Sequence, residues 1–233
     1  MRDFGRPTSS SDLRALARAV LDTILAGDRR PLAIAHPLEF ICIPILRTAE
    51  FGACGHIWQV GQSALTIHCH SWHLNSYVVA GAVLNEVFAV TDSPDGEHHL
   101  LSVDSTGSLD RMTSTGRAVT VQDSRRTLHH AGGSYSLRAG VFHRSTPIST
   151  GPTITLLAAT TLPGARDQIV AARTHRQHAT RREELPALAA RALTEQLRTA
   201  IDVSRPLTPA HEPAGTPPHR SRVPSPPLRP DKT

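Results

Sequence analysis

Leu65-Thr66-Ile67-His68-Cys69-His70-Ser71-Trp72-His73-Leu74-Asn75-Ser76-Tyr77-Val78-Val79-Ala80-Gly81 is a run of β-branched, aromatic and small residues that ends on a glycine, with two histidines one residue apart. Side chains alternate along a strand, so His68 and His70 share one face and Cys69 points to the other. That face suits a barrel interior. The same texture extends from Glu39 to about Thr161, as short stretches of Val, Ile, Leu and Thr separated by Gly, Ser, Asp and Pro. Nine or ten strands are expected, near 39–46, 54–60, 64–70, 73–80, 82–90, 98–103, 117–122, 126–131, 134–138 and 153–161. With no helical crossovers between them, they predict a sandwich or barrel rather than a parallel sheet.

Outward from this region the pattern turns helical. Ser9 to Asp12 offer N-caps, and Leu13, Leu16, Val20, Leu21 and Ile24 recur at helical spacing until Gly27. After Pro163 an Arg/Glu-rich segment, Asp167 to Glu184, and an Ala/Leu segment, Pro186 to Ile201, read as helices packed outside the barrel. From Ser204 onward Pro, Ser and Arg dominate, and this composition predicts disorder because it cannot recover its ordering entropy by burial. The expected organisation is a helical extension over 1–35, a barrel over 36–163, C-terminal helices over 164–203 and a tail over 204–233.

Composition excludes several function classes. The 233 residues carry a formal charge of +5, yet residues 1–163 hold 13 Arg against 13 Asp plus Glu, so the excess sits at the C-terminal end. A nucleic-acid-binding face is not expected. No stretch of about eighteen apolar residues and no signal peptide is visible, which makes a cytoplasmic protein without a membrane span the expectation. Cys42, Cys54 and Cys69 are odd in number and lack C-x-x-C spacing, so they read as buried free thiols.

A second glycine-bounded segment, Gly132-Gly133-Ser134-Tyr135-Ser136-Leu137-Arg138-Ala139-Gly140-Val141-Phe142-His143, ends on a histidine just after a turn. Together the two segments resemble the paired motifs of the cupin superfamily, G-x5-H-x-H-x3,4-E-x6-G and G-x5-P-x-G-x2-H-x3-N. Gly61, His68, His70 and Gly81 match the first with one extra residue after its first glycine and one fewer before its last, and Asn75 stands where its glutamate falls. Gly132, Gly140 and His143 match the second, with Arg138 for its proline and Pro147 for its asparagine. The resemblance covers residues 36 to 161. It implies an all-β core, a double-stranded β-helix or RmlC-like jelly-roll barrel, with the terminal helices flanking it.

The resemblance also implies a metal held by His68, His70 and His143, similar to the three-histidine iron sites of cysteine-dioxygenase-like cupins. Hydrogen-bonded core or surface imidazoles are the structural alternative. Three neutral imidazoles leave a divalent ion its full +2 charge, which favours an anionic ligand; Asn75 or Glu86 is a candidate to complete the site. Fe2+ is the favoured ion, with Zn2+, Mn2+ and Ni2+ as alternatives. Trp72, His73 and Tyr77 either line the pocket, orient a ligand or fill the core. Trp72 and Tyr77 are taken as catalytic candidates, with Arg144 chosen from the nearby arginines Arg47, Arg138 and Arg144 as a clamp for a substrate carboxylate. His56 and the adjacent His129 and His130 are weaker candidates for the metal, and His175 with His178 read as a solvated face.

The resulting expectation is a metal-dependent oxidoreductase, an Fe2+ dioxygenase using O2 and a small anionic metabolite. The rival readings are a non-redox metal enzyme (isomerase, hydrolase or decarboxylase) and a non-enzymatic small-ligand module. Open sheet edges and an N-terminal helix favour a homodimer.

Overall fold

The computed structural model describes residues 9–59, 66–174 and 178–204. Gly61, His175 and the tail from residue 205 lie outside the described residues. Helix α1 (Ser10–Leu25) begins at a capping box: the Ser9 hydroxyl accepts from Asp12 N–H at 3.1 Å, and the Asp12 carboxylate accepts from Ser9 N–H at 3.0 Å. Its stripe of Leu13, Leu16, Ala17, Val20, Leu21 and Ile24 is buried. Strands β1 (Ile34–His36), β2 (Phe40–Arg47), β3 (Phe51–Trp58), β4 (His68–Cys69), β5 (Trp72–Ala80), β6 (Ala82–Asp92) and β7 (His98–Thr106) follow. Next come β8 (Leu109–His130), β9 (Ser134–Leu137), β10 (His143–Pro147), β11 (Thr153–Thr161), β12 (Asp167–Ala172), β13 (His178–Arg181), β14 (Glu183–Glu184) and helix α2 (Ala187–Val203).

The strands form two seven-stranded antiparallel sheets, ordered β14-β1-β2-β3-β11-β5-β9 and β13-β8-β6-β10-β4-β12-β7. Chain neighbours β4 and β5 lie in opposite sheets, as do β5 and β6, β9 and β10, and β10 and β11. This exchange between two facing sheets is the jelly roll. In the second sheet β7 also pairs with β8, so its ladder closes on itself.

The first sheet is used on both faces. Ile41, Ile43 and Ile45 of β2, Ala53 and Ile57 of β3, Tyr77 and Val79 of β5, and Ile154, Leu156 and Ala158 of β11 point outward into a core shared with α1 and α2. Their neighbours at the opposite parity point into the barrel. The largest core of the protein therefore lies outside the barrel, and the barrel interior is left for a cavity. The two helices tie each other in place: Arg14 of α1 donates to the Ile201 and Ser204 carbonyls at the end of α2, at 2.8 and 2.7 Å, while Arg191 of α2 donates to Leu25 O at the end of α1, at 2.9 Å.

Two expectations need correction. Asp167 to Glu184 is not helical but supplies β12, β13 and β14, so only the Ala/Leu segment of 164–203 forms a helix. Strand β12 fits between β4 and β7, with Ile169 opposite both His68 and Leu101. A ladder on both sides outweighs the helix-favouring composition of that stretch. The two strands expected at 117–122 and 126–131 are one strand, β8, paired to β6 through a bulge at Val87/Phe88.

Candidate metal centre

Strand β4 and strand β10 bring the two half-motifs together. His68 and His143 are register partners, and Gly140 N–H donates to His70 O at 2.9 Å, joining the turn before His143 to the strand that carries His70. Gly140 makes that turn at φ 79°, a left-handed conformation that glycine adopts without strain. One ring nitrogen from each of His68, His70 and His143 can gather within 4.8 Å of the others. Ring centroids are 4.4 Å apart for His68 and His143, 4.8 Å for His68 and His70, and 5.1 Å for His70 and His143.

Backbone carbonyls orient two of these rings. His68 Nδ1 lies 2.9 Å from Thr66 O and His143 Nδ1 lies 3.2 Å from Val141 O, so in both the Nδ1 carries the proton and Nε2 keeps its lone pair for the centre of the triad. His70 stacks on Trp72, with ring centroids 3.9 Å apart and planes 17° from parallel. Burial disfavours the charged form of all three. It lowers His68; it sets His70 well below its ordinary value, helped by His68 and His143; and it brings His143 to about 3, helped by His68. The rings are therefore neutral donors near neutral pH, which suits a borderline divalent ion.

Neither candidate for a fourth ligand reaches the triad. Asn75 is exposed, and its Oδ1 accepts from the Ser136 hydroxyl at 2.5 Å. Glu86 is buried, but its carboxylate is held by Arg144 Nε at 2.7 Å and Arg126 Nε at 3.0 Å. The Arg144 side chain holds the Glu86 carboxyl below its usual range. Among the described residues, no carboxylate joins the three imidazoles.

The triad opens into a cavity of about 930 Å3, a volume that accepts a small metabolite. Of the three catalytic candidates, Trp72 lines it. Tyr77 does not: it faces the helices in the outer core, with the Arg14 guanidinium 5.8 Å from its ring centre. Arg144 does not either, because it follows His143 directly on β10 and points to the other side, onto Glu86 and the Phe88 ring. Arg47 is the arginine of the three considered that lines the cavity. Cys69 is buried with its thiol toward Arg166 O at 3.9 Å, and burial raises it to about 11. His73 accepts from Ala139 N–H at 3.1 Å, a structural contact.

The sequence reading missed several cavity residues. Tyr135 of β9 faces inward with its hydroxyl 3.3 Å from Ser145, and burial raises its pKa, so it stays protonated. Arg182, between β13 and β14, pairs with buried Asp110 at 2.8 Å. Both are placed by strands, β9 and β13, whose pairing partners come from distant parts of the chain.

The two sheets, their strand exchange and the placement of both histidine segments on facing strands identify the architecture. The barrel is a double-stranded β-helix, or jelly roll, the fold that the resemblance in the sequence implies. No protein-family model matches this chain, and no curated protein sequence does. Solved structures similar to it include an oxalate oxidase in complex with the substrate analogue glycolate (12% identity, TM-score 0.35), of which the match spans 56% of this chain and 55% of that one. An RmlC-like cupin from Shewanella frigidimarina matches at 16% identity and TM-score 0.29 over 59% of this chain and 89% of that one. A hydroquinone 1,2-dioxygenase in complex with Cd2+ and 4-hydroxybenzonitrile matches at 14% identity and TM-score 0.34 over 68% and 83%. Among the described residues, no helix is long and apolar enough to cross a membrane.

Proposed function

We propose that this chain is a cupin-type metal-dependent enzyme, most specifically an Fe2+-dependent dioxygenase acting on a small anionic metabolite, with His68, His70 and His143 as metal ligands. The observation that supports this reading is the convergence of three neutral imidazoles at the wall of a cavity, two of them with Nδ1 tied to a carbonyl. The donor set fits Fe2+ and, less distinctively, Zn2+, Mn2+ or Ni2+. A bound ion would supply Lewis-acid polarisation of an anionic substrate and, if it is iron, one-electron chemistry with O2.

The chain's own residues do the rest. Thr66 and Val141 carbonyls fix the tautomers of His68 and His143, and Trp72 fixes the plane of His70. With only neutral ligands, the charge of the site is left for the substrate to balance. Arg47 on the cavity wall gives an entering carboxylate a bidentate partner. Phe40, Trp58 and Leu74 keep part of the wall apolar and limit water, while Tyr135 and Ser145 offer hydroxyls on the face of β10 that carries His143.

The test is metal analysis of the purified chain, followed by oxygen consumption with a panel of small thiols and carboxylic acids. One equivalent of iron lost in His68→Ala and His143→Ala, with oxygen uptake lost alongside it, is the expected result. Stoichiometric metal with no oxygen uptake on any substrate would shift the reading to non-redox chemistry. No bound metal after reconstitution would remove it.

A further inference from the structure

A second group of metal-type donors lies on the opposite sheet, outside the histidine triad. Strands β2 and β3 pair with Cys42 opposite His56 and Pro44 opposite Cys54. Cys42, Cys54 and His56 therefore share the cavity face, while Ile41, Ile43, Ala53 and Ile57 at the other parity fill the outer core. The side chains converge. Cys54 Sγ is 3.1 Å from His56 Nε2, and with the Cys42 thiol the three donor atoms lie within 4.8 Å of one another. The His56 ring is held between Phe40, at 4.2 Å between centroids, and Trp58, at 5.6 Å and 84°.

We propose that Cys42, Cys54 and His56 form a second metal site, for a thiophilic ion of the Zn2+ class, on the wall of the same cavity. Zn–S bonds of about 2.3 Å and Zn–N bonds of about 2.0 Å in a tetrahedron place donors roughly 3.5 to 3.8 Å apart. The 3.1 Å Cys54–His56 separation and the 4.8 Å limit on all three donors bracket that value. Two thiolates and one imidazole form a softer set than three imidazoles, so this site favours thiophilic ions such as Zn2+ over harder ones such as Mn2+. Binding releases the two thiol protons. A divalent ion with two thiolates is neutral overall, so the site adds no net charge to a cavity that already holds Arg47. Three protein donors leave one tetrahedral position open toward the cavity.

The experiment is an anaerobic titration of the full chain, reduced and stripped of metal, with Co2+ or Cd2+. The wild type is expected to bind two equivalents, one of which brings the ultraviolet thiolate-to-metal charge-transfer absorption. Cys42→Ser/Cys54→Ser should lose that absorption and one equivalent, with its melting curve and second equivalent retained. His68→Ala/His143→Ala should lose the other equivalent and keep the absorption. His56→Ala, a milder change, should keep the charge-transfer band but weaken the affinity behind it. Absence of the band at saturating metal, its survival in the double serine variant, or a Cys42–Cys54 disulfide in protein purified under reducing conditions would overturn the proposal. Because the two sites are read out separately, failure here is distinguishable from failure of the histidine site.

Discussion

His68 and His143 face each other directly across the β4–β10 ladder, although 75 positions separate them in the chain. The pairing makes the candidate metal centre a property of one ladder. Replacing either histidine by alanine should abolish stoichiometric binding at the triad, whereas Asn75→Ala should leave it intact, because the Asn75 amide is engaged by Ser136 at the surface. Metal content of the three variants, measured side by side, checks this.

Glu86→Gln separates ligand from scaffold. The carboxylate is buried between Arg126 and Arg144, so neutralising it should cost about 1 kcal/mol of stability while leaving metal occupancy unchanged. Denaturant melts together with metal analysis read both quantities. A loss of metal in this variant would return Glu86 to the site.

Acid stability follows from the buried imidazoles. His36 is held at about 3, chiefly by burial and then by Arg182, and His143 at about 3 by burial and His68, against an ordinary value of 6.5. Below pH 6.5 the unfolded chain takes up protons that the folded chain refuses. Stability contributed by these groups is thus complete above pH 6.5 and falls steadily toward pH 3. Thermal melts of the metal-free protein should be flat in this respect from about pH 8 to 7 and decline below that. His36→Asn, which keeps an acceptor for the Leu38 N–H that His36 Nδ1 now accepts, should make the decline shallower.

Two arginines on the same cavity should behave in opposite ways. Arg182 meets Asp110 through both Nε and Nη2 at 2.8 Å, and Asp110 is 4% exposed. Arg182→Met strands a buried carboxylate and should cost about 3 kcal/mol. Arg47 is exposed and, among the described residues, has no ion-pair partner. Arg47→Ala should change stability by less than about 0.5 kcal/mol but raise KM for an anionic substrate without a matching fall in kcat. Urea melts and steady-state kinetics distinguish the two roles.

What the sequence disclosed depended on how local the information was. The capping box and stripe of α1, and the shared face of His68 and His70, need only neighbours within a few residues, and both are visible by eye. Parity also carried information that went unused. Trp72 and Tyr77 are five apart on one strand, and His143 and Arg144 are adjacent, so neither pair shares a face in regular β structure. That alone separates Trp72 from Tyr77 and sets Arg144 apart from His143, the candidate ligand. Other features were hidden because they depend on pairing partners far along the chain. Cys54 and His56 share a face by spacing, but Cys42 joins them only through the β2–β3 register, and Asp167–Ala172 becomes a strand only because β4 and β7 flank it.

The close approach of α2 to β3 gives a prediction about what holds the cavity wall in place. A Cβ on Gly55 would lie 2.3 Å from Leu197 Cδ2 and within 3.3 Å of Leu197 Cγ. Leu197 is fully buried in the outer core, so its side chain has no solvent to retreat into. Gly55→Ala should therefore destabilise by about 1–3 kcal/mol through overpacking, and Leu197→Ala by about 2–5 kcal/mol through the cavity it leaves. The alanine methyl would occupy part of the space vacated by Leu197, so the double variant should lose less stability than the sum of the singles. Gly55 also lies between Cys54 and His56, whose side chains point to the opposite face. Displacing the strand should loosen the Cys54–His56 contact, and accessibility of Cys54 to a thiol reagent should rise in Gly55→Ala and return toward wild type in the double variant. Strict additivity of the stability changes would show that helix and strand adjust independently, and that the glycine is not needed for their contact.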